Sequence, residues 1–169
     1  WNRQLNGTTP IPGWTGGMIT VPPGGGNAVA FCTWNTGGSS SNNQWLVTPR
    51  ITNVGPNDSL KFWVRYWPNS YADTVEVRIS TTGTNVGDFT TLVAVLAFPR
   101  TPDTNWTQYR YRLASFVPVG SNIYIAFREK VADNINEGAS ISLDLVEVTA
   151  PAAGGCTTVS SQWCPTGTY

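Results

Sequence analysis

The side chains of this 169-residue chain repeat with a period of two. Val75, Val77 and Ile79 alternate with Glu76 and Arg78, and Leu60, Phe62, Val64 and Tyr66 alternate with Lys61, Trp63, Arg65 and Trp67. The same rhythm sets Tyr109, Tyr111 and Leu113 against Gln108, Arg110 and Arg112, and Ile123, Ile125 and Phe127 against Tyr124, Ala126 and Arg128. Successive side chains of a β-strand point to opposite faces, so each run buries one row and exposes the other. No stretch shows an apolar period of 3.6 residues bounded by caps. A chain patterned this way is confined to facing sheets with very little helix.

Further strands are expected at Met18–Val21, Ala28–Trp34, Trp45–Ile51 and Thr90–Phe98, with Pro49 placing the third at an edge or bulge. Ile141, Leu143 and Leu145 form the last inward row, and Val146 and Val148 mark a bulge or a doubly buried end. The spacing of about nine or ten strands predicts an all-β, antiparallel jelly-roll β-sandwich. The pattern stops after Val148, so residues 1–149 are read as the sandwich and 150–169 as a linker and docking tail.

Composition narrows the function. Eight Trp, six Tyr and six Phe argue for a folded chain. Ten Lys plus Arg balance ten Asp plus Glu, and charged residues make up 12%, against roughly 25% in an average chain. This speaks against a nucleic-acid surface. Histidine is absent, which removes the commonest general base and transition-metal ligand. Glu76, Glu129, Glu137 and Glu147 form no recognisable acid pair and read as surface charge, and Gly24–Gly26 reads as a turn rather than a phosphate loop. No apolar run approaches the ~20 residues of a membrane-spanning helix. The start at Trp1 without Met is read as a processed, exported chain.

If Phe62, Val64 and Tyr66 face the core, Trp63, Arg65 and Trp67, extended by Tyr71, make a flat aromatic and guanidinium strip suited to a sugar ring or a partner surface. The competing reading covers that strip with another layer as ordinary core. Three cysteines are an odd count. Cys156 and Cys164 are favoured as a staple of the tail, leaving Cys32 as a small buried hydrophobe; pairing of Cys32 with a tail cysteine or a second chain stays open. Trp1, Trp163 and Tyr169 are the expected anchors of a docked tail, on its own sandwich or on a neighbour, the latter giving self-association into an open-ended filament. Asn6, Asn57 and Asn105 each begin a glycosylation acceptor pattern.

The ordered series Asn6-Gly7 through Pro12-Gly13-Trp14-Thr15, Gln44-Trp45-Leu46-Val47-Thr48-Pro49, Leu60-Lys61-Phe62-Trp63, Val75 to Gly83, Trp106-Thr107-Gln108-Tyr109, Tyr124 to Arg128 and Leu143-Asp144 resembles the cleaved-adhesin, or choice-of-anchor J, domain. The resemblance implies a jelly-roll sandwich from exported or cell-surface bacterial proteins, similar to carbohydrate-binding modules and to the MAM domains of receptors. It also implies a structural calcium where the first and last strands meet. Asp144 matches the acidic position there, Leu145 stands where a second acid is usual, and Asn6 where an amino-terminal acid is common. Calcium takes about 6–8 oxygen ligands; Asp133, Asn134, Asn136 and Glu137 could join Asp144. Two functions follow as expectations: a non-catalytic, extracellular adhesion or surface-assembly module, or a carbohydrate-binding module that stacks sugars on aromatics. A hydrolase with an acid pair is a distant third.

Overall fold

A computed structural model describes residues 1–10, 17–34, 36, 41–67, 71–98, 105–132, 138 and 140–149, and the backbone of 159–160. Ten strands run in chain order: β1 Asn2–Leu5, β2 Ala28–Thr33, β3 Asn42–Val47, β4 Ser59–Trp67, β5 Asp73–Ser80, β6 Thr91–Phe98, β7 Trp106–Arg112, β8 Tyr124–Val131, β9 Ser140–Thr149 and β10 Val159–Ser160. Helix among the described residues is limited to single 3-10 turns at Val86–Asp88 and Leu113–Ser115.

The strands make two antiparallel sheets. The large sheet is ordered β1-β2-β9-β4-β7, with β10 against β9, and the small sheet β3-β8-β5-β6. Leu60, Phe62, Val64 and Tyr66 of β4 meet Val75, Val77 and Ile79 of β5 and Ile125 and Phe127 of β8 in one continuous core. Phe62 sits at its centre, with Tyr109 at 5.6 Å, Tyr111 at 6.1 Å and Phe127 edge-on at 4.9 Å. Such ring pairs add about 0.5–1.5 kcal/mol beyond burial. Because β7 commits Tyr109 and Tyr111 to this core, Gln108, Arg110 and Arg112 face outward.

Two elements differ from the sequence reading. Met18–Val21 pairs with no strand; it runs across the large sheet, held by Ile19 N–H to the Thr8 carbonyl and Gly7 N–H to the Ile19 carbonyl, each at 2.9 Å. The edge of the large sheet is formed by β1, whose polar sequence offers no apolar row. The bulge near Val146 is present. Lys61 pairs with Glu147 and Trp63 with Asp144, so Leu145 and Val146 both oppose Phe62, with Leu145 in the left-handed region at φ 48°. The extra residue reverses the alternation, so Leu143 and Val148 both join the core.

Candidate ligand-binding face

The outer face of the large sheet is a lattice fixed by the pairing of β4 with β7. Ser59 stands opposite Arg112, Lys61 opposite Arg110, Trp63 opposite Gln108 and Arg65 opposite Trp106. Directly opposed residues have Cβ atoms about 5 Å apart, and successive rows lie about 7 Å apart along the strand.

Half of this lattice is covered. Trp67, expected in the exposed strip, is only 1% exposed. Its ring packs with Ile19, Val29 and Phe31 in a second small core under the segment that carries Ile19, and its indole N–H donates to Ser142 Oγ at 3.0 Å. Trp67 is therefore structural, because the amino-terminal crossing lies on it. Arg65 lies over the same ring at 4.0 Å and donates to Thr20 Oγ1 at 3.1 Å, and the Trp106 indole donates to the same hydroxyl at 3.1 Å. Burial there pushes the Arg65 guanidinium below its ordinary value. Tyr71 stands in the crossover from β4 to β5, where its carbonyl accepts the Tyr66 hydroxyl, outside the lattice.

The other half is open to solvent as far as the described segments reach. Trp63 is half-buried, flanked by exposed Gln108 and by the Lys61–Arg110 row. Lys61 is paired with Glu147 at 3.3 Å. Arg110 is exposed and has neither hydrogen bond nor ion pair among the described residues. One row further, the Arg112 guanidinium is held by the Pro56 carbonyl at 2.9 Å and Asn57 Oδ1 at 3.3 Å. Asn57, Ser59, Arg110 and Arg112 line a groove of about 420 Å³. Arg110, Arg112 and Lys61 were not singled out from sequence. The alternation placed each on an outward row, but only the β4–β7 register brings them together.

On the outer face of the small sheet the two central guanidiniums share one carboxylate. Arg78 and Arg128 both hold Glu76, at 2.6 and 3.0 Å. Burial alone would raise the Glu76 carboxyl, but the two guanidiniums outweigh it and hold it below the usual range. Arg128 also lies over Trp45 at 4.9 Å and donates to Asn43 Oδ1 at 2.7 Å.

Among the described residues, the position implied for calcium holds a single carboxylate. Asp144 Oδ1 accepts the Leu145 N–H at 2.7 Å, while its buried Oδ2 has no partner among the described residues. Burial raises this carboxyl above its usual range. A Cβ on Gly25 would come within 2.8 Å of that oxygen, so the Pro22–Gly25 turn rests directly on Asp144. Asn6 is exposed, its N–H bonded to the Asn27 carbonyl at 2.9 Å. No group of three or more His, Cys, Asp or Glu gathers among the described residues. Asp133 and Glu137, like Cys156, Cys164, Trp163 and Tyr169, lie outside the described residues. Trp1 packs against its own main core and donates from its indole to the Gln44 carbonyl at 3.3 Å, which puts this anchor on its own sandwich.

Glu129 is a correction. Read as surface charge, it is 0% exposed, because it continues the inward row of Ile125 and Phe127 on β8. The Cys32 thiol reaches Glu129 Oε2 at 3.0 Å across the sandwich, and Oε1 has no partner among the described residues. Burial, with the neighbouring Glu129, drives the Cys32 thiol far above its usual range, and burial raises the Glu129 carboxyl. Cys32 is thus a buried free thiol with a polar partner rather than a plain hydrophobe.

Among the described residues no helix is long and apolar enough to cross a membrane. Comparison with curated proteins found no match. Solved structures similar to this one include three domains of Lys-gingipain. The K1 cleaved adhesin domain from Porphyromonas gingivalis W83 is 25% identical, with TM-score 0.57, covering 75% of this chain and 76% of that one. The K3 domain from the same organism is 22% identical, with TM-score 0.56, covering 73% and 75%. The K2 domain is 23% identical, with TM-score 0.56, covering 75% and 74%. The model of the Cleaved Adhesin Domain family matches residues 13–148. Two antiparallel sheets, a sequence match over most of the chain and the shared sandwich lead to one conclusion: this chain belongs to the cleaved-adhesin family.

Proposed function

We propose that the chain is a non-catalytic, extracellular adhesion module that grips a surface ligand on the open half of the large sheet. The observation that carries this reading is Arg110. An exposed cation without a partner among the described residues stands directly opposite Lys61, and like charges facing each other across a strand pair are destabilising. Folding gains nothing from that placement, whereas a ligand bearing complementary groups does, and half-buried Trp63 beside it offers a flat ring to stack on. A glycan or a protein surface fits this description. The test is binding of the labelled chain to a panel of immobilised glycans and surface proteins. A ligand whose capture is lost in Trp63→Ala and kept in Arg128→Gln, on the opposite sheet, supports the reading. Capture that only Arg128→Gln abolishes refutes it.

One observation favours self-association as a second role. Strand β6 is an outer strand of the small sheet, its eight residues carry no charge, and Leu92 and Val95 are 45% and 52% exposed. Uncharged, apolar edges accept an added strand; the tail of another copy is the occupant this reading assigns. A structural calcium is assigned to the Asp144 corner, where Oδ2, without a partner among the described residues, would supply one oxygen, with Asn6, Asp133 and Glu137 as the further expected ligands.

A further inference from the structure

The outer face of the large sheet is a charged surface on a chain whose formal net charge is zero. Lys61, Arg65, Arg110 and Arg112 are four of the ten Lys and Arg residues, and β4 and β7 bring all four to one face. Acidic groups reach that face from β9. Glu147 is engaged with Lys61, and Asp144 accepts the Leu145 N–H on one oxygen and is raised by burial. On the small sheet both central guanidiniums close on Glu76, and Lys130, at the end of that row, is exposed and unpaired among the described residues. Arg110 has no such closure among the described residues, and Arg112 is fixed by the turn at 55–58 with its guanidinium along the groove.

We infer that the Arg110–Arg112 groove with Trp63 is a binding site for an anionic glycan, a sugar chain bearing carboxylate or sulfate groups. This rests on the adhesion reading above and names the ligand of that same face. Three features select the class. A guanidinium presents a planar fork of donors that matches carboxylate and sulfate oxygens. Trp63, one row and about 7 Å beyond Lys61 and Arg110, offers its ring to the apolar face of a sugar. The polar floor of Asn57 and Ser59 supplies hydroxyl and amide partners for sugar hydroxyls. The groove is open, which suits a chain running along the sheet rather than a small molecule enclosed in a pocket. Nucleic acid fits less well, since a face carrying four cations on a chain of pI about 6.4 falls short of the strongly basic footprint such binding needs. An acidic polypeptide would use the cations and leave Trp63 without a role.

The experiment measures binding of the full chain to polygalacturonate, dextran sulfate, unsubstituted dextran and polyglutamate, for wild type, Arg110→Gln and Trp63→Ala. The inference predicts binding to polygalacturonate, dextran sulfate or both, weakened on the order of 10-fold by either substitution and further by added salt, with unsubstituted dextran not bound. The two charged polysaccharides separate carboxylate from sulfate recognition. Binding to polyglutamate as strong as to the polysaccharides, insensitive to Trp63→Ala, overturns the glycan and leaves charge attraction. Binding to dextran that depends on Trp63 but not on Arg110 overturns the anionic ligand while the adhesion face stands. No binding to any of the four overturns the inference; the panel of surface proteins then decides the broader reading separately. Arg112→Gln serves as a second probe of the groove, and an unchanged urea midpoint confirms that each variant is folded.

Discussion

Trp63 and Trp67 lie on the same face of one strand, four residues apart, and truncating each to alanine should give opposite results. Trp67 is 1% exposed and packs on Ile19, Val29 and Phe31. Removing a buried Trp costs about 3–5 kcal/mol through lost transfer free energy and the cavity left behind. Ser142 Oγ then loses its indole donor at 3.0 Å, adding about 1 kcal/mol, and Arg65 loses the ring it covers at 4.0 Å, adding about 0.5–1 kcal/mol. Together these give about 4.5–7 kcal/mol, comparable to the whole stability of a small domain, which is about 5–15 kcal/mol. Trp63 is half-buried with no indole hydrogen bond among the described residues, and its truncation falls within about 1 kcal/mol. Trp67→Phe keeps a ring in place but not the Ser142 bond, so it falls between them. Urea unfolding followed by circular dichroism reads all three as shifts of midpoint at constant slope. If Trp67→Ala and Trp63→Ala unfold within about 1 kcal/mol of each other, the amino-terminal segment does not seal Trp67, and the division of this face into covered and open halves is wrong.

Three further outcomes follow from the buried acids and the free edge. Burial raises the Glu129 carboxyl from 4.5, so its contribution to stability is intact below that pH and is lost as the pH rises through the raised folded-state value; Glu129→Gln should flatten this loss, measured by denaturant unfolding between about pH 4 and about pH 8, and an identical slope in the variant would contradict it. Asp144→Asn removes the buried carboxylate at the calcium corner, so any rise in melting temperature on adding calcium after chelation should disappear in the variant; a rise of equal size there would place the ion elsewhere. Val95→Lys puts a charge on the uncharged β6 edge at a residue 52% exposed, and should reduce self-association in sedimentation velocity while changing stability by no more than about 0.5 kcal/mol.

Much of this architecture is legible in short stretches of sequence, because a period of two is a local property. The rows through Leu60–Tyr66, Val75–Ile79 and Ile125–Phe127 face the core as their alternation predicts, and the reversal at Leu145–Val146 is a real bulge. Three things needed long-range information. Trp67 sits on the predicted outward row, yet a crossing segment some 45 residues earlier in the chain buries it, as Thr20 bonding to Arg65 shows. Glu129 occupies an inward position by simple continuation of its row, but a carboxylate there contradicts the expectation that acids stay at the surface unless paired. Arg110 and Arg112 become a groove only when β7 pairs with β4, which the intervening β5 and β6, in the other sheet, conceal.

The central claim is that one half of the large sheet's outer face is sealed and the other half receives a ligand. Oxidative footprinting of the eight tryptophans, read by mass spectrometry with and without polygalacturonate or dextran sulfate, tests it most directly. Trp67 should stay unmodified in both states, while Trp63 should be oxidised in the free protein and protected by the polysaccharide that binds. Oxidation of Trp67 in the native chain, or bound polysaccharide that leaves Trp63 as reactive as before, would contradict it.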